Sequence, residues 1–297
     1  MSAAPAISTR SLAKRFGTRT AVDDVTLDVP QGAFLCVLGA NGAGKTTLLR
    51  LLATLTRPTS GSASICGIDI AERPEAARAE IGLVAHESML YADLTATENL
   101  EFWASLHGAC DPGPRIHELL DAVGLSHRSL DAVRTFSRGM TQRLAIARAL
   151  VADPAVVLLD EPHTGLDARA AETLDTLVAS ERAQRTFVMV SHDTERALAL
   201  ATHVLVLARG RVALFGELGP TAPDGPASSD SPTSSDGPIS PDGPAAPDAP
   251  ASPGSSASSD GPASPGSSAS PGNSTSPGAS IDAASVRALL GGGGASL

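Results

Sequence analysis

Residues 39–46, GANGAGKT, form the pattern that most restricts how this chain can fold. They fill the spacing GxxxxGK followed by Ser or Thr, between the apolar run 34–38 and a helix-forming segment at 45–55. Glycines at this spacing let the backbone curl so that successive N–H groups and a helix N-terminus face an anion. We therefore expect Lys45 to reach the β- and γ-phosphates of a nucleotide, and the Thr46 hydroxyl to ligate Mg²⁺.

The whole loop is predicted to contact the nucleotide, since its backbone forms the cradle. The predicted residues are Gly39, Ala40, Asn41, Gly42, Ala43, Gly44, Lys45, Thr46 and Thr47. A glycine-rich turn without a ligand is the alternative, and it would leave Lys45 and Thr46 unexplained.

Strands and helices alternate along the first part of the chain, which predicts an α/β fold with a mostly parallel core sheet. Strands are predicted at 7–10, 20–29, 33–38, 62–66, 81–84, 155–159, 186–190, 203–208 and 211–215. Helices are predicted at 45–55, 95–107, 114–123, 137–150, 168–182 and 194–201, with a short one near Pro74. The three helical segments within 88–150 predict a helical subdomain, and the first strands predict an antiparallel β region.

Composition divides the chain after Leu218. Residues 1–218 mix apolar runs and charges as a folded domain does, whereas 219–280 are Pro, Gly, Ser, Ala and Asp with almost nothing large and apolar. A segment of that composition cannot form a core, so we expect a disordered, extended segment there. The short apolar stretch 281–290 follows, and it is predicted to be a C-terminal helix that returns to the domain.

Charge and cysteine content restrict the partners and the compartment. Of the net charge of −10, −6 lies after Leu218, so the domain carries only −4 and has no basic stripe for nucleic acid. The three cysteines are far apart and odd in number, which predicts neither a disulfide framework nor a metal site. No apolar run approaches the length of a membrane helix, so we expect a cytosolic protein unless a partner anchors it.

A second apolar run, 156–159, ends in two carboxylates, Asp160 and Glu161. In a parallel sheet this end lies at the edge where the phosphate loop also lies. Asp160 is suited to hold Mg²⁺, and Glu161 to accept a proton from a water that attacks the γ-phosphate. The alternative is an acidic pair that starts the next helix.

These residues also carry a family resemblance. Residues 158–162 (LLDEP), 164–167 (TGLD) and 191–193 (SHD) resemble the ABC (ATP-binding cassette) family, whose fold is a P-loop NTPase. The resemblance implies that Asp167 contacts an opposite subunit and that His192 contacts the γ-phosphate. A lone histidine is more often structural, but His192 directly follows a predicted strand.

The segment 136–140, FSRGM, corresponds to the LSGGQ signature of that family, although only Ser137 and Gly139 match it. Taken alone, Ser137 is an ordinary helix N-cap. The resemblance implies instead that Ser137 and Gly139 bind the γ-phosphate held by a partner subunit. Arg138 and Met140 depart from the family pattern.

Two further positions are singled out by the resemblance. Phe16 stands where cassettes carry the aromatic that stacks on adenine, although a turn or core aromatic is an alternative. His86 stands where cassettes usually carry a glutamine near the metal, and a surface histidine without consequence is the alternative. His86, the segment 90–100 and residues 135–140 resemble the haem-exporter ATPase of cytochrome c maturation.

The resemblance implies an ATPase subunit of a transporter. Two cassettes would pair head to tail with ATP and Mg²⁺ at their interface, and integral-membrane subunits would be the partners. The location would be peripheral, on the cytoplasmic face of the membrane. Alternatives are the ATPase of a drug or lipid exporter, or a soluble cassette without a membrane partner.

Overall fold

The structure is a computed structural model of the 297-residue chain, and it describes residues 4–219 and 281–291. All of these residues belong to one compact unit. Apart from Gly219, the segment predicted to be disordered lies outside the described residues.

Ten strands, eight α-helices and two single-turn 3-10 helices, at Ser126–Arg128 and Val133–Thr135, form the described part of the chain. The strands are β1 (Ile7–Phe16), β2 (Arg19–Val29), β3 (Phe34–Leu38), β4 (Ser60–Ile65), β5 (Ile68–Asp69), β6 (Ile81–Val84), β7 (Val156–Asp160), β8 (Thr186–Val190), β9 (His203–Ala208) and β10 (Arg211–Glu217). The helices are α1 (Lys45–Leu52), α2 (Pro74–Ala79), α3 (Ala96–Leu106), α4 (Gly113–Ala122), α5 (Arg138–Leu150), α6 (Ala168–Glu181), α7 (Thr194–Leu200) and α8 (Ala283–Gly291).

The core is a six-stranded sheet in the order β10-β9-β3-β8-β7-β6. All of its strand pairs are parallel except that of β10 with β9. Every residue of β3, β7 and β8 is buried, as expected for parallel strands covered on both faces. The predicted fold, with its mostly parallel core, is confirmed.

A second sheet of four antiparallel strands has the order β2-β1-β4-β5, which confirms the predicted N-terminal antiparallel region. Strand β1 reaches Phe16, six residues beyond the predicted end at Arg10. The prediction was too short because β1 is bulged: its register with β2 shifts three times and Ser11 has a positive φ of 44°. A bulge breaks the period-two alternation from which a strand is recognised.

Helices α3, α4 and α5 lie between β6 and β7, in the range 88–150. Helix α3 starts at a capping box, in which Thr95 accepts from the Glu98 N–H and the Glu98 carboxylate accepts from the Thr95 N–H. Among the described residues, none of the helices has both the length and the apolar character needed to span a bilayer.

Helix α8 returns to the domain, close to the predicted 281–290. Ile281 bridges to Leu218 beside the core sheet, and Val286 is fully buried. Arg287 also forms two hydrogen bonds, of 2.7 and 2.6 Å, to the Glu195 carboxylate on α7.

Candidate active site

The loop between β3 and α1 has a backbone that its glycines make possible. Gly39, Gly42 and Gly44 all have positive φ, and Gly44 is the N-cap of α1. A Cβ on Gly39 would lie 2.2 Å from the Leu207 carbonyl oxygen, and one on Gly44 would lie 2.3 Å from that of Ala21. Both positions therefore exclude any other residue by conformation and by space.

Lys45 extends back over this loop. Its Nζ donates to the carbonyl oxygens of Gly39, at 2.7 Å, and Ala40, at 3.1 Å. Burial lowers the pKa of the Lys45 ammonium group, while the carboxylates of Glu161 and Asp160 act in the opposite direction. The ammonium group is thus held over the loop, close to two acids.

Asp160 ends β7 and is only 8% exposed. Among the described residues, its one side-chain hydrogen bond is a long contact of 3.5 Å from the Thr46 hydroxyl. Burial raises the pKa of the Asp160 carboxyl group, and the charge of Glu161 acts in the same direction. A buried carboxylate beside a hydroxyl has the ligand chemistry that Mg²⁺ prefers.

Thr46 and Asp160 would supply two ligands, which fits Mg²⁺ that is otherwise bound by phosphate oxygens and water. No group of three or more His, Cys, Asp or Glu side chains within residues 4–219 and 281–291 could hold a metal ion without a substrate.

Glu161 follows Asp160 in the left-handed region, with a φ of 56°. Its Oε2 contacts the His192 Nδ1 and accepts a hydrogen bond of 3.3 Å from the Thr164 hydroxyl. Such a conformation is strained for a residue with a long side chain, and strain of this kind is concentrated at functional sites. The structure therefore brings the two predicted catalytic residues into direct contact.

A pocket of about 380 Å³ covers the loop. Its lining includes residues 41–47 of the loop, Glu161, Arg19 and Phe16. Phe16 is 53% exposed and carries the Lys14 ammonium 5.0 Å from its ring centroid. The exposed Phe16 ring therefore lies at the rim of the loop pocket, and its stacking on a base stays a prediction.

A neighbouring pocket of about 340 Å³ contains His86. It shares Asp160 and Glu161 with the catalytic edge, and it is also lined by Phe136 and Arg138 from the start of α5. The structure thus places His86 at the carboxylates rather than on an isolated surface.

Ser137 and Gly139 lie elsewhere. Ser137 is the N-cap of α5, and its hydroxyl accepts from the Met140 N–H at 3.3 Å. Neither residue lines the loop pocket in the described part of the chain. Asp167 likewise caps α6, accepting from the Ala170 N–H at 2.8 Å.

Several neighbours of the site were not predicted from the sequence. Thr164 donates to Glu161, and the Arg138 side chain packs over Gly165, where an added Cβ would lie 2.7 Å from the Arg138 Nε. The His163 side chain lies 2.8 Å from the Asp175 carboxylate. The contacts of Arg138 with Gly165 and of His163 with Asp175 join separate segments of the chain, and no local pattern signals them.

Comparison with known proteins places the chain in a family. Residues 22–164 match the family described as ABC transporter. The chain is 38% identical over 214 residues to the daunorubicin resistance ATP-binding protein DrrA3 of Streptomyces coeruleorubidus, covering 71% of this chain and 68% of that protein.

It is also 38% identical over 213 residues to the sulfate/thiosulfate import ATP-binding protein CysA 2 of Chromobacterium violaceum. That match covers 71% of this chain but only 58% of the relative.

Among solved structures, the dimeric post-hydrolysis state of the ATP-binding cassette MJ0796 bound to ADP and Pi matches with a TM-score of 0.65 at 28% identity. The match covers 71% of this chain and 98% of that one. Together with the loop, the acidic strand end and the Glu161–His192 contact, these matches show that the chain belongs to the ABC transporter family and carries its ATP-binding ATPase cassette.

Proposed function

We propose that this protein is the ATP-hydrolysing subunit of an ABC transporter and that it drives a separate membrane subunit. One observation carries the proposal: Lys45, Asp160 and Glu161 converge at one edge of the core sheet, with His192 in contact with Glu161. A cation, a metal-binding carboxylate and a base at one edge are the parts that phosphoryl transfer to water requires.

The side chains of the site have different tasks in the proposed mechanism. Lys45, held over the loop by the Gly39 and Ala40 carbonyls, would move onto the β- and γ-phosphates when ATP enters. Thr46 and Asp160 would hold Mg²⁺, which neutralises charge on the phosphates. Glu161 would accept the proton of the attacking water, and His192 would orient its carboxylate and contact the γ-phosphate.

The second half of the site would come from another copy of the chain. Ser137 and Gly139 do not line the described loop pocket, yet they begin a 13-residue helix whose N-terminal N–H groups favour an anion. Head-to-tail pairing would bring the Ser137 of one chain to the phosphate loop of the other. The dimeric state in which MJ0796 was solved supports this arrangement.

The transport partners would be integral-membrane subunits, with the cassette bound peripherally at the cytoplasmic face. ATP-driven closure of the dimer would shift these subunits between two states, and hydrolysis would reopen it. A nucleic-acid partner is not proposed, because the domain has a mildly acidic balance.

The finer proposal concerns the transported molecule. His86 and the segment 135–140 favour haem export in cytochrome c maturation, whereas the relatives from Chromobacterium and Streptomyces are named for sulfate import and daunorubicin resistance. The match to a drug-resistance ATPase favours the alternative, a drug or lipid exporter. Purification of the Glu161→Gln protein from membranes with ATP would separate the two, because haem-handling membrane subunits are expected for one and exporter subunits for the other.

The proposed function is tested by Glu161→Gln, with Glu172→Gln on the exposed face of α6 as the matched control. Removal of a general base lowers rates about 10²- to 10⁴-fold, so we expect kcat for ATP hydrolysis to fall by this factor while ATP binding remains. Light scattering should then detect an ATP-dependent dimer of the variant. Hydrolysis at the wild-type rate would show that Glu161 is not the base.

A further inference from the structure

A series of polar side-chain contacts links the segments that carry Glu161 and His192, in addition to the direct contact between these two residues. The His163 Nε2 lies 2.8 Å from the Asp175 Oδ1, and an Arg196 terminal nitrogen lies 2.8 Å from the Asp175 Oδ2. His163 follows Glu161 by two residues, Asp175 is on α6 and Arg196 is on α7. A single carboxylate thus joins the loop of Glu161 to the helix that follows His192.

This series of side-chain contacts continues to Asp193, the residue after His192. Arg196 also approaches the Asp193 carboxylate at 3.7 Å, and its N–H donates to Asp193 at 3.1 Å as the N-cap contact of α7. His192 is the preceding residue, so the four groups connect the backbones on either side of the catalytic pair.

These groups are partly withdrawn from water. The side chains of His163, Asp175 and Arg196 are 12%, 24% and 30% exposed. The His163 Nδ1 is buried without a hydrogen-bond partner in the described part of the chain. Partly buried charges are screened less than surface pairs, and both Asp175 oxygens are used, so this carboxylate fixes its two partners more firmly than an exposed ion pair would.

We propose that Asp175 is a positioning residue for ATP hydrolysis. It holds the loop 161–164 and the start of α7 at a set separation, so that the Glu161 carboxylate and the His192 ring meet the terminal phosphate in one geometry. This inference rests on the proposed function, because it assumes that Glu161 and His192 act on ATP. Asp175 touches neither of them and acts through His163 and Arg196.

The same helix carries a matched control. Glu181 likewise joins two side chains, with contacts of 2.8 Å to Arg115 and 2.7 Å to Arg185. Arg185 precedes β8 and so lies at its amino end, whereas His192 follows its carboxyl end. Loss of either carboxylate removes two side-chain contacts of α6, but only loss of Asp175 releases the segments that carry Glu161 and His192.

The experiment compares Asp175→Ala with Glu181→Ala in the full chain, by kcat and KM for ATP and by thermal midpoint. Small misplacements of catalytic groups cost up to about 100-fold, so we expect kcat of Asp175→Ala to fall about 10- to 100-fold with KM unchanged. Glu181→Ala should lose thermal stability but keep wild-type kcat. A wild-type kcat for Asp175→Ala, or an equal loss for Glu181→Ala, would overturn the proposal.

Three further variants keep the test decisive if Asp175→Ala does not fold. Asp175→Asn preserves the shape and one hydrogen bond, so an intermediate loss of kcat is expected. Arg196→Ala should lower kcat and Arg196→Lys should restore part of it; equal rates for these two would contradict the proposal.

Glu161→Gln is measured in parallel, to separate this inference from the proposed function. If Glu161→Gln hydrolyses ATP at the wild-type rate, the proposed function fails. If only Asp175→Ala hydrolyses ATP at the wild-type rate, this inference alone fails.

Discussion

The carboxyl edge of the core sheet and the start of helix α5 differ in how complete they are within one chain. At the sheet edge, the loop, Asp160, Glu161 and His192 contact or face one another directly. At the start of α5, Ser137 has only its own helix as a hydrogen-bond partner among the described residues. The first region brings the groups of the candidate phosphate site together within one chain, whereas the second is a helix N-terminus whose N-cap contacts its own helix.

This difference indicates which part of the ATP site needs a second chain. Parallel strands deliver their carboxyl ends to one edge, so a single sheet can assemble a phosphate site unaided. A helix N-terminus stabilises an anion only within its first turn, so the start of α5 must lie close to a phosphate to contribute to binding it. We infer that the sheet edge binds ATP and that α5 acts on the ATP of a partner.

The largest effect is expected for Ser137→Arg, which tests whether the start of α5 acts on the ATP of a partner chain. A long cation at the start of α5 should block closure against a second chain, and we expect hydrolysis to fall about 100-fold, since removing one donor to a reacting oxyanion has that effect. ATP affinity of the separate chain should not change. Ser105→Arg, on the exposed side of α3, is the control; loss of ATP affinity in Ser137→Arg would place Ser137 in its own loop pocket instead.

A smaller effect is expected at the rim of the sheet-edge pocket. Base–aromatic stacking contributes about 1–3 kcal/mol, so Phe16→Ala should weaken ATP binding about 10-fold while Phe16→Tyr retains it. Isothermal titration measures both, with Leu130→Ala as a control for loss of an exposed apolar side chain. Unchanged affinity in Phe16→Ala would remove this residue from the site.

A further prediction asks whether Asp167 only caps α6 or also contacts a partner chain. Loss of an N-cap costs about 1 kcal/mol, so Asp167→Ala should lower the free energy of unfolding by this amount, whereas asparagine preserves the cap. If the carboxylate also contacts a partner, Asp167→Asn combined with Glu161→Gln should form less ATP-dependent dimer. Normal dimer formation by that double variant would limit Asp167 to capping α6.

The smallest expected effect is on thermal stability, because the ionised carboxylate of the buried Asp160 lowers the stability of the nucleotide-free protein. Its pKa is raised on folding above the ordinary 3.8, so its ionised form destabilises the nucleotide-free protein above the raised pKa. Asp160→Asn should therefore raise the thermal midpoint at pH 7, by about 2–4 °C if the gain is ~1 kcal/mol. The gain should shrink as pH falls toward 3.8. Asp121→Asn is the exposed control, and a lower midpoint for Asp160→Asn at pH 7 would contradict the account.

The two regions also differ in how far the sequence predicts them. The phosphate loop and the strand before Asp160 are local patterns, so their residues and their common edge could be predicted. The extent of β1 could not, because its bulges break the alternation at Ser11.

The supporting contacts were equally beyond prediction. His163, Asp175 and Arg196 meet only after three separate elements have packed, and a lone histidine carries no spacing signal. The roles predicted for Ser137, Gly139 and Asp167 depend on a second chain, and they stay predictions. The role of His86 stays a prediction as well, although its place beside Asp160 and Glu161 is now defined.

The central claim, that each ATP lies between two chains, is tested most directly by mixing two impaired proteins. Lys45→Ala loses the phosphate loop's cation but keeps Ser137, and Ser137→Ala keeps that cation but loses the hydroxyl at the start of α5. In a mixed dimer, one site would combine an intact loop from one chain with an intact α5 start from the other. The account predicts hydrolysis well above the sum of the two separate rates, and no recovery on mixing would contradict it.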